Sequence, residues 1–389
     1  MQQNPYVDRV TARFASQFGA QPQLVVRGPG RINLIGEHTD YNGGFVMPAS
    51  IDKELIFAIS PTEGNTCEVI AENLNDSFTF STDRLEKSRK GWPNYLMGVV
   101  DQMHKAGRHP GAFRLVFGGN IPTGAGLSSS AALECGLAFC LNELYRLGLT
   151  TLEMVKLCQA AENQFVGVAC GIMDQFASMQ GRENSVIQLD CRSLDFNYFP
   201  LELNGYMLLL CDTAVKHSLG SSEYNTRRQE CEQGVAIMQK KYPQVQLLRD
   251  ATPAMVEEFR SEMPANVYDR CKYVTEEIER VQVASELLNQ NDLKGFGQKM
   301  YETHDGLQHL YLVSCPELDF LVDQTRDDET VLGARMMGGG FGGCTINIVR
   351  EDAAEALVAR LSEAYQNQFG ITLKTYPVRI TNGTGPVGG

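Results

Sequence analysis

The stretch GRINLIGEHTDYNGG, residues 30–44, places Arg31, Glu37, His38 and Asp40 close together, fenced by Gly30, Gly36, Gly43 and Gly44. Such a segment is too glycine-rich for a helix interior, yet it carries the apolar residues Ile32, Leu34 and Ile35. A cation, two carboxylates and an imidazole on one short loop suit the grip of a polyhydroxyl molecule, because carboxylates accept hydrogen bonds strongly from hydroxyl groups. Arg31 then has a place beside a reacting oxygen.

A second stretch, PTGAGLSSSAALE (residues 122–134), follows a strand-like run and opens a helical one. Gly124 and Gly126 allow a tight turn and a close approach to a ligand. Ser128, Ser129 and Ser130 add hydroxyls at a helix start, where free N–H groups and the dipole favour an anion. A plain serine-capped helix start is the alternative, but one serine would serve it. A third stretch, MMGGGFGGCTINIV (residues 336–349), puts five glycines around one Phe between two strands. That costs backbone entropy and fits a chain passing close to something. No Gly-Lys pair, His-Arg-Asp or Asp-Phe-Gly occurs, and the serine loop is not Gly-x-Ser-x-Gly. Walker-type, protein-kinase and hydrolase-elbow readings are thereby excluded.

Two carboxylates stand in apolar company. Glu162 shares a helical stripe with Val155 and Cys158, and Asp174 sits between Met173 and Phe176 after Gly171. A carboxylate on a buried face must be paired or hold a cation. For Glu162 a structural salt bridge explains the position equally well, and Asp174 could serve a helix dipole. Phosphate loop, cation-binding carboxylate, base and arginine together make a set of parts for phosphoryl transfer.

The elements that must position these residues are partly readable. Residues 23–28, 54–60 and 113–117 read as strands, and 93–107, 128–146 and 150–166 as helices, the last opened by a Thr150–Glu153 capping box. YMLLLCD from Tyr206 reads as a buried strand, and long charged helices fill 221–241 and 266–290. VLGARMM, CTINIV, a helix over 353–368 and TLKTYPVRI complete an α+β pattern of the split βαβ kind. The tail TNGTGPVGG reads as mobile.

Composition narrows the function classes. The chain has 389 residues and a net charge of −13, so nucleic acid and anionic membrane surfaces are poor partners. Its 11 Cys are scattered, without a C-x-x-C pair. They read as reduced thiols of a cytoplasmic enzyme, most of them in the core. The amphipathic start (Val7, Val10, Phe14, Phe18) lacks the apolar core of a signal peptide.

With these motifs in order, the sequence resembles the galactokinase branch of the family of galactokinase, homoserine, mevalonate and phosphomevalonate kinases. GRINLIGEHTDYNGG is similar to the galactokinase signature, and PTGAGLSSSAALE and MGGGFGGCTINIV to the family's second and third motifs. GIMDQF, GSSEYNTRR and GWPNY also match the galactokinase pattern. Thr123 and Ile32 depart from it without removing a needed chemical group.

The resemblance implies a two-lobed α+β small-molecule kinase. A ribosomal-S5-like N-terminal domain (1–205) binds sugar and ATP, and a ferredoxin-like C-terminal domain with added helices covers 206–389. It also implies ATP-dependent phosphorylation of the anomeric hydroxyl of α-D-galactose, with Mg²⁺. Carried over residue by residue, Asp174 is catalytic with Arg31 as its partner. Glu37, His38, Thr39, Asp40, Gly171, Asp174 and Tyr224 contact the sugar. Gly124, Ala125, Gly126, Leu127, Ser128, Ser129 and Ser130 wrap the ATP phosphates, and Ser130 and Glu162 hold Mg²⁺. Trp92 and Tyr95 flank adenine or simply pack a helix start. His104, His109, His304 and His309 read as surface or helix residues, and His217 as a residue that only lines the cleft. A kinase for N-acetylgalactosamine or another related sugar, or a non-catalytic galactose and ATP sensor, are the competing readings. Partners are small molecules, and a monomer is the working expectation.

Overall fold

The structure, a computed structural model, describes residues 4–216 and 220–387. His217 lies outside the described residues. The described residues form three sheets. The first runs in the order β13-β1-β3-β6-β4-β5. It is built from β1 (Leu24–Asn33), β3 (Pro48–Pro61), β4 (Thr66–Ala71), β5 (Asp76–Ser81), β6 (Phe113–Gly119) and β13 (Gly385–Pro386). The second joins β2 (Phe45–Val46), β7 (Ser185–Asp190) and β8 (Phe196–Pro200). The third runs β10-β11-β9-β12, from β9 (Tyr206–Lys216), β10 (Val331–Met336), β11 (Gly342–Arg350) and β12 (Lys374–Val378). Among the described residues no helix is long and apolar enough to cross a membrane.

Helices cover the first sheet because their apolar stripes demand it. The Pro5–Phe18 helix buries Val10 and Phe14 and stops at Gly19, whose φ is +68°. The Ser129–Tyr145 helix is apolar on most of its surface and is buried from Ala131 to Ala138; it packs against β1 and β3. The expected capping box is present: the Thr150 Oγ1 accepts from Glu153 N, and the Glu153 carboxylate accepts from Thr150 N at 2.7 Å. Such a cap is worth about 1 kcal/mol. The helix it opens is regular only to Ala160 and continues as one π-helical turn over Ala161–Val166. Nine of the eleven cysteines are buried.

One expectation is corrected, at the end of the chain. The tail is not free: Gly385–Pro386 pairs with Val26 and Arg27 of β1, and Gly383 N and Thr384 N donate to Gly181 O and Ser178 O. The chain's last strand therefore returns to the first sheet, across the division at residue 205. His304 lies on the Leu293–His309 helix, fully buried, and accepts from Met336 N through Nδ1. Strands β4, β5, β7 and β8 and the Leu293–His309 helix complete the frame where no expectation had been set.

Candidate active site

A β-bulge begins the site. The β1–β3 register shifts between Pro29 and Arg31, which turns the Arg31 side chain off the ladder. Glycine at position 30 is required there, because a Cβ would stand 2.6 Å from Leu127 O. Arg31 N donates to that same carbonyl at 3.2 Å, so β1 and the serine loop are laced together. The Arg31 guanidinium, 5 % exposed, then spends all three of its nitrogens. Nη1 donates to Gly126 O at 2.6 Å, Nε to Asp174 Oδ1 at 2.9 Å and Nη2 to Asp174 Oδ2 at 3.2 Å. This two-point grip fixes the plane of the Asp174 carboxylate.

Ser128 completes that grip. It precedes the Ser129–Tyr145 helix with φ +56° and makes no capping bond to the helix. Its hydroxyl donates instead to Asp174 Oδ2. The first N–H groups of the helix are thus unclaimed by the Ser128 side chain, a ready anion site. The plain serine-cap alternative fails at this residue.

Asp174 opens onto a cavity of about 520 Å³ that Arg31, Glu37, His38, Asp40, Glu162 and Gly171 help to line. Tyr224, Asn225, Gly338 and Gly339 line it as well. Glu37 is buried, and its Oε1 accepts from Arg335 Nη2 at 2.9 Å and from Gly338 N at 2.8 Å. Burial pushes its carboxyl up, but the Arg335 and Arg31 charges and the Gly338 N–H outweigh this and hold it below the usual range. His38, with φ +62°, pairs through Nδ1 with Tyr41 OH at 2.8 Å. The Tyr41 hydroxyl meets that of Tyr311 at 2.7 Å. Burial, largely, brings the His38 imidazole down to about 4, so it is neutral at physiological pH. Asp40 behaves oppositely: burial and then the Asp174 charge push its carboxyl up to about 7.

Thr39 is a correction. It is fully buried, with its hydroxyl hydrogen-bonded to Phe45 O and Gly36 O at 2.6 and 2.9 Å. It shapes the loop and does not face the cavity. Gly171 does face it, and its lack of a side chain is used: a Cβ would lie 1.7 Å from Asp40 Oδ2. The Gly171→Ala protein should keep its fold, since no unusual φ is involved. It should lose about 10²-fold in kcat/KM for the sugar as Asp40 is displaced. A wild-type kcat/KM in steady-state assays would remove Asp40 from sugar contact.

Glu162 lies on the π-helical turn, a form of helix distortion common at functional sites. Gln175 Nε2 donates to its Oε2 at 2.8 Å, and Ser130 bonds to it as well. Burial and then the Asp174 charge push Glu162 up to about 7. The same Gln175 nitrogen reaches Glu134 Oε2 at 3.2 Å. Glu134 is fully buried, and its carboxyl is raised well above the usual range, chiefly by burial. Trp92 and Tyr95 stand outside the cavity. Trp92 donates to Asp76 Oδ2 at 3.1 Å and edges against Phe117 and Phe78. His104 stacks near His109, away from the site. Glu134, Gln175 and Arg335 escaped the sequence reading. Glu134 had the signal that betrayed Glu162, since it shares a helical stripe with Leu137 and Leu141.

The parts and their lobes define a class. Residues 94–182 and 284–367 match the N-terminal and C-terminal domain models of the GHMP kinases. The mevalonate kinase of Methanococcus jannaschii shares the fold, with a TM-score of 0.65 over 92 % of this chain and 98 % of that one at 18 % identity. The protein is therefore a two-lobed small-molecule kinase of the GHMP type. Within that class, residues 12–61 match the galactokinase galactose-binding signature. A galactokinase of Roseiflexus sp. is 39 % identical over 96 % of each chain. The galactokinase of Lactococcus lactis, solved in complex with galactose, superposes with a TM-score of 0.93 at 33 % identity, over 98 % of this chain and 99 % of that one. The chain belongs to the galactokinase family.

Proposed function

We propose that the protein transfers the γ-phosphoryl group of ATP to the anomeric hydroxyl of α-D-galactose, with Asp174 as the residue that receives the hydroxyl proton. The observation that carries this reading is the Asp174 carboxylate itself, gripped by Arg31 and Ser128 on the wall of a cavity it shares with Glu37 and Asp40. Galactose lies in that cavity, its hydroxyls donating to Glu37 and Asp40 and meeting His38 and Tyr224. The sugar oxygen attacks the γ-phosphorus, the bond to ADP breaks, and the proton passes to Asp174. Arg31 steadies Asp174 and faces the charge on the transferring group. The triphosphate lies along Gly124–Ser130 against the helix start, and Trp92 and Tyr95 stand towards the adenine.

The donor set suits Mg²⁺. It offers hard oxygens from the Glu162 carboxylate and the Ser130 hydroxyl beside it, with the Gln175 amide and the Cys170 thiol also bonded to Glu162, and a helix start for phosphate. Among the described residues no cluster of three or more His, Cys, Asp or Glu residues could hold a metal, and Mg²⁺ ordinarily takes one or two carboxylates plus substrate phosphates. When bound, Mg²⁺ offsets the charge of the phosphates. Ser130 and Glu162 would hold it.

ADP release from Mg²⁺-ATP with a sugar panel tests the assignment. Galactose should be turned over at least about 10²-fold better, by kcat/KM, than glucose or mannose, because a site built to bond a hydroxyl rejects sugars that misplace it. Preferred turnover of N-acetylgalactosamine or arabinose would move the substrate. Galactose binding without turnover would bring back the sensor reading.

A further inference from the structure

Arg335 is the largest fully buried side chain in the described structure. It interrupts an apolar strand, β10, in the second lobe. A guanidinium in that position persists only if its N–H groups are met. They are met almost wholly by the other lobe. Nε donates to Leu34 O at 2.8 Å, and Nη2 donates to Asn33 O and to Glu37 Oε1. Nη1 turns back to Met336 O at 2.7 Å. Neither Asn33 nor Leu34 is a reacting residue, but they are the last residues before the loop that carries Glu37, His38 and Asp40.

The glycine loop after β10 is tied to the same point. Met336 N is fixed by His304, and Gly338 N donates to the very oxygen of Glu37 that Arg335 holds. Glu37 Oε1 is thereby committed, and the carboxylate can turn only with these two donors. Gly338 and Gly339 line the same cavity as Glu37, with Gly338 N bonded directly to it. The charges facing Glu37 are Arg335 and Arg31, with His38, Asp40 and Tyr273 as the nearby titratable groups.

We propose that Arg335 is a positioning residue for the sugar: it fixes Glu37 as an oriented, ionised hydrogen-bond acceptor and sets the separation of Glu37 from the 338–339 loop. It touches neither substrate and acts through Glu37. The proposal rests on the reading of the cavity as the galactose site.

A double-mutant cycle tests it, with Arg335→Lys, Glu37→Gln and the double variant, after the wild type has been assayed on galactose. Arg335→Lys keeps the charge but loses the fork that bonds Glu37, Asn33 and Leu34 together. Its KM for galactose should rise roughly 10–100-fold, while its KM for ATP moves by less than about threefold. The double variant should be no worse for galactose than Glu37→Gln alone, because Arg335 reaches the sugar only through Glu37. Additive losses, or a galactose KM unmoved in a folded Arg335→Lys protein, would reduce Arg335 to a staple between lobes and overturn the proposal. Should the variants not fold, arginine side-chain ¹⁵N spectra of the wild type decide. Saturation with galactose should shift the Arg335 resonances, and unmoved resonances overturn the idea. A wild type that ignores galactose but turns over another sugar counts against the substrate reading instead, and the cycle and the titration are then run with that sugar.

Discussion

Asp174→Asn should lower kcat for galactose phosphorylation by about 10²–10⁴-fold, the usual worth of a positioned proton acceptor, while galactose still binds within about tenfold of wild type. The geometry explains why the loss should fall on turnover. Asn keeps the size of Asp, and its carbonyl oxygen can still accept from Arg31 Nε, which holds Oδ1 at 2.9 Å in the wild type. Arg31 also keeps its bond to Gly126 O. What disappears is the negative oxygen able to take a proton from the sugar, and with it the Oδ2 acceptor of Arg31 Nη2 and Ser128. Stability should change little, because two effects oppose each other. Arg31 loses its counter-charge, which destabilises. Asp40 and Glu162 lose the Asp174 charge that helps to raise both of them, which stabilises. Isothermal titration with galactose and single-turnover ADP release together check this. Turnover within about tenfold of wild type would remove Asp174 from proton transfer, and lost binding would make it a sugar ligand first.

The loop that carries Glu37, His38 and Asp40 was legible because its composition is improbable for any other use: charge, glycine and buried aliphatics compressed together. Asp174 was legible for the same reason, as a carboxylate among apolar residues. Their meeting was not, because Arg31 and Asp174 lie 143 positions apart and nothing local announces the bulge that aims Arg31. Glu162 is buried, as its stripe with Val155 and Cys158 implies, although it sits on the wider turn over Ala161–Val166 and not on a 3.6-residue helix. Glu134 falls on the Leu137–Leu141 stripe of its own helix and was legible on the same ground.

Other features lay beyond local reasoning altogether. Thr39 shares its segment with the sugar-facing residues, and only the positions of the Gly36 and Phe45 carbonyls reveal that its hydroxyl is already spent. Arg335 partners Glu37 across 298 positions. The tail's glycines and proline suit a mobile end, and equally suit the short edge strand they form beside β1. Both outcomes are written in the same composition, and the choice is made by a partner strand more than 350 positions away.

Asp40→Asn should make the ligand-free protein more stable at pH 8 and leave it nearly unchanged at pH 4. The Asp40 carboxyl is raised from 3.8 to about 7, first by burial and then by the Asp174 charge. The folded chain therefore binds this proton more tightly than the unfolded chain does. The stability that results is fully present below about pH 4 and is lost as pH rises through about 7. Above that, the empty site holds an ionised carboxylate against its surroundings. A rise from 3.8 to about 7 corresponds to at most about 4 kcal/mol, and half of that is expected for a side chain that lines an open cavity. Asn is neutral at every pH and can accept the same backbone hydrogen bond. The variant's melting temperature should thus exceed wild type by about 2–4 °C at pH 8, with the difference shrinking towards pH 4. Glu162, raised to about 7 for similar reasons, adds a slope of the same sign to both proteins and cancels in the comparison. The gain in stability should come with at least a tenfold loss in galactose affinity, since the ionised carboxylate is the better acceptor for sugar hydroxyls. Scanning calorimetry across pH checks the first half and titration with galactose the second. A stability difference that does not vary with pH would mean that Asp40 ionises freely in the empty site, and a variant that binds galactose normally would mean that its charge is not what the sugar meets.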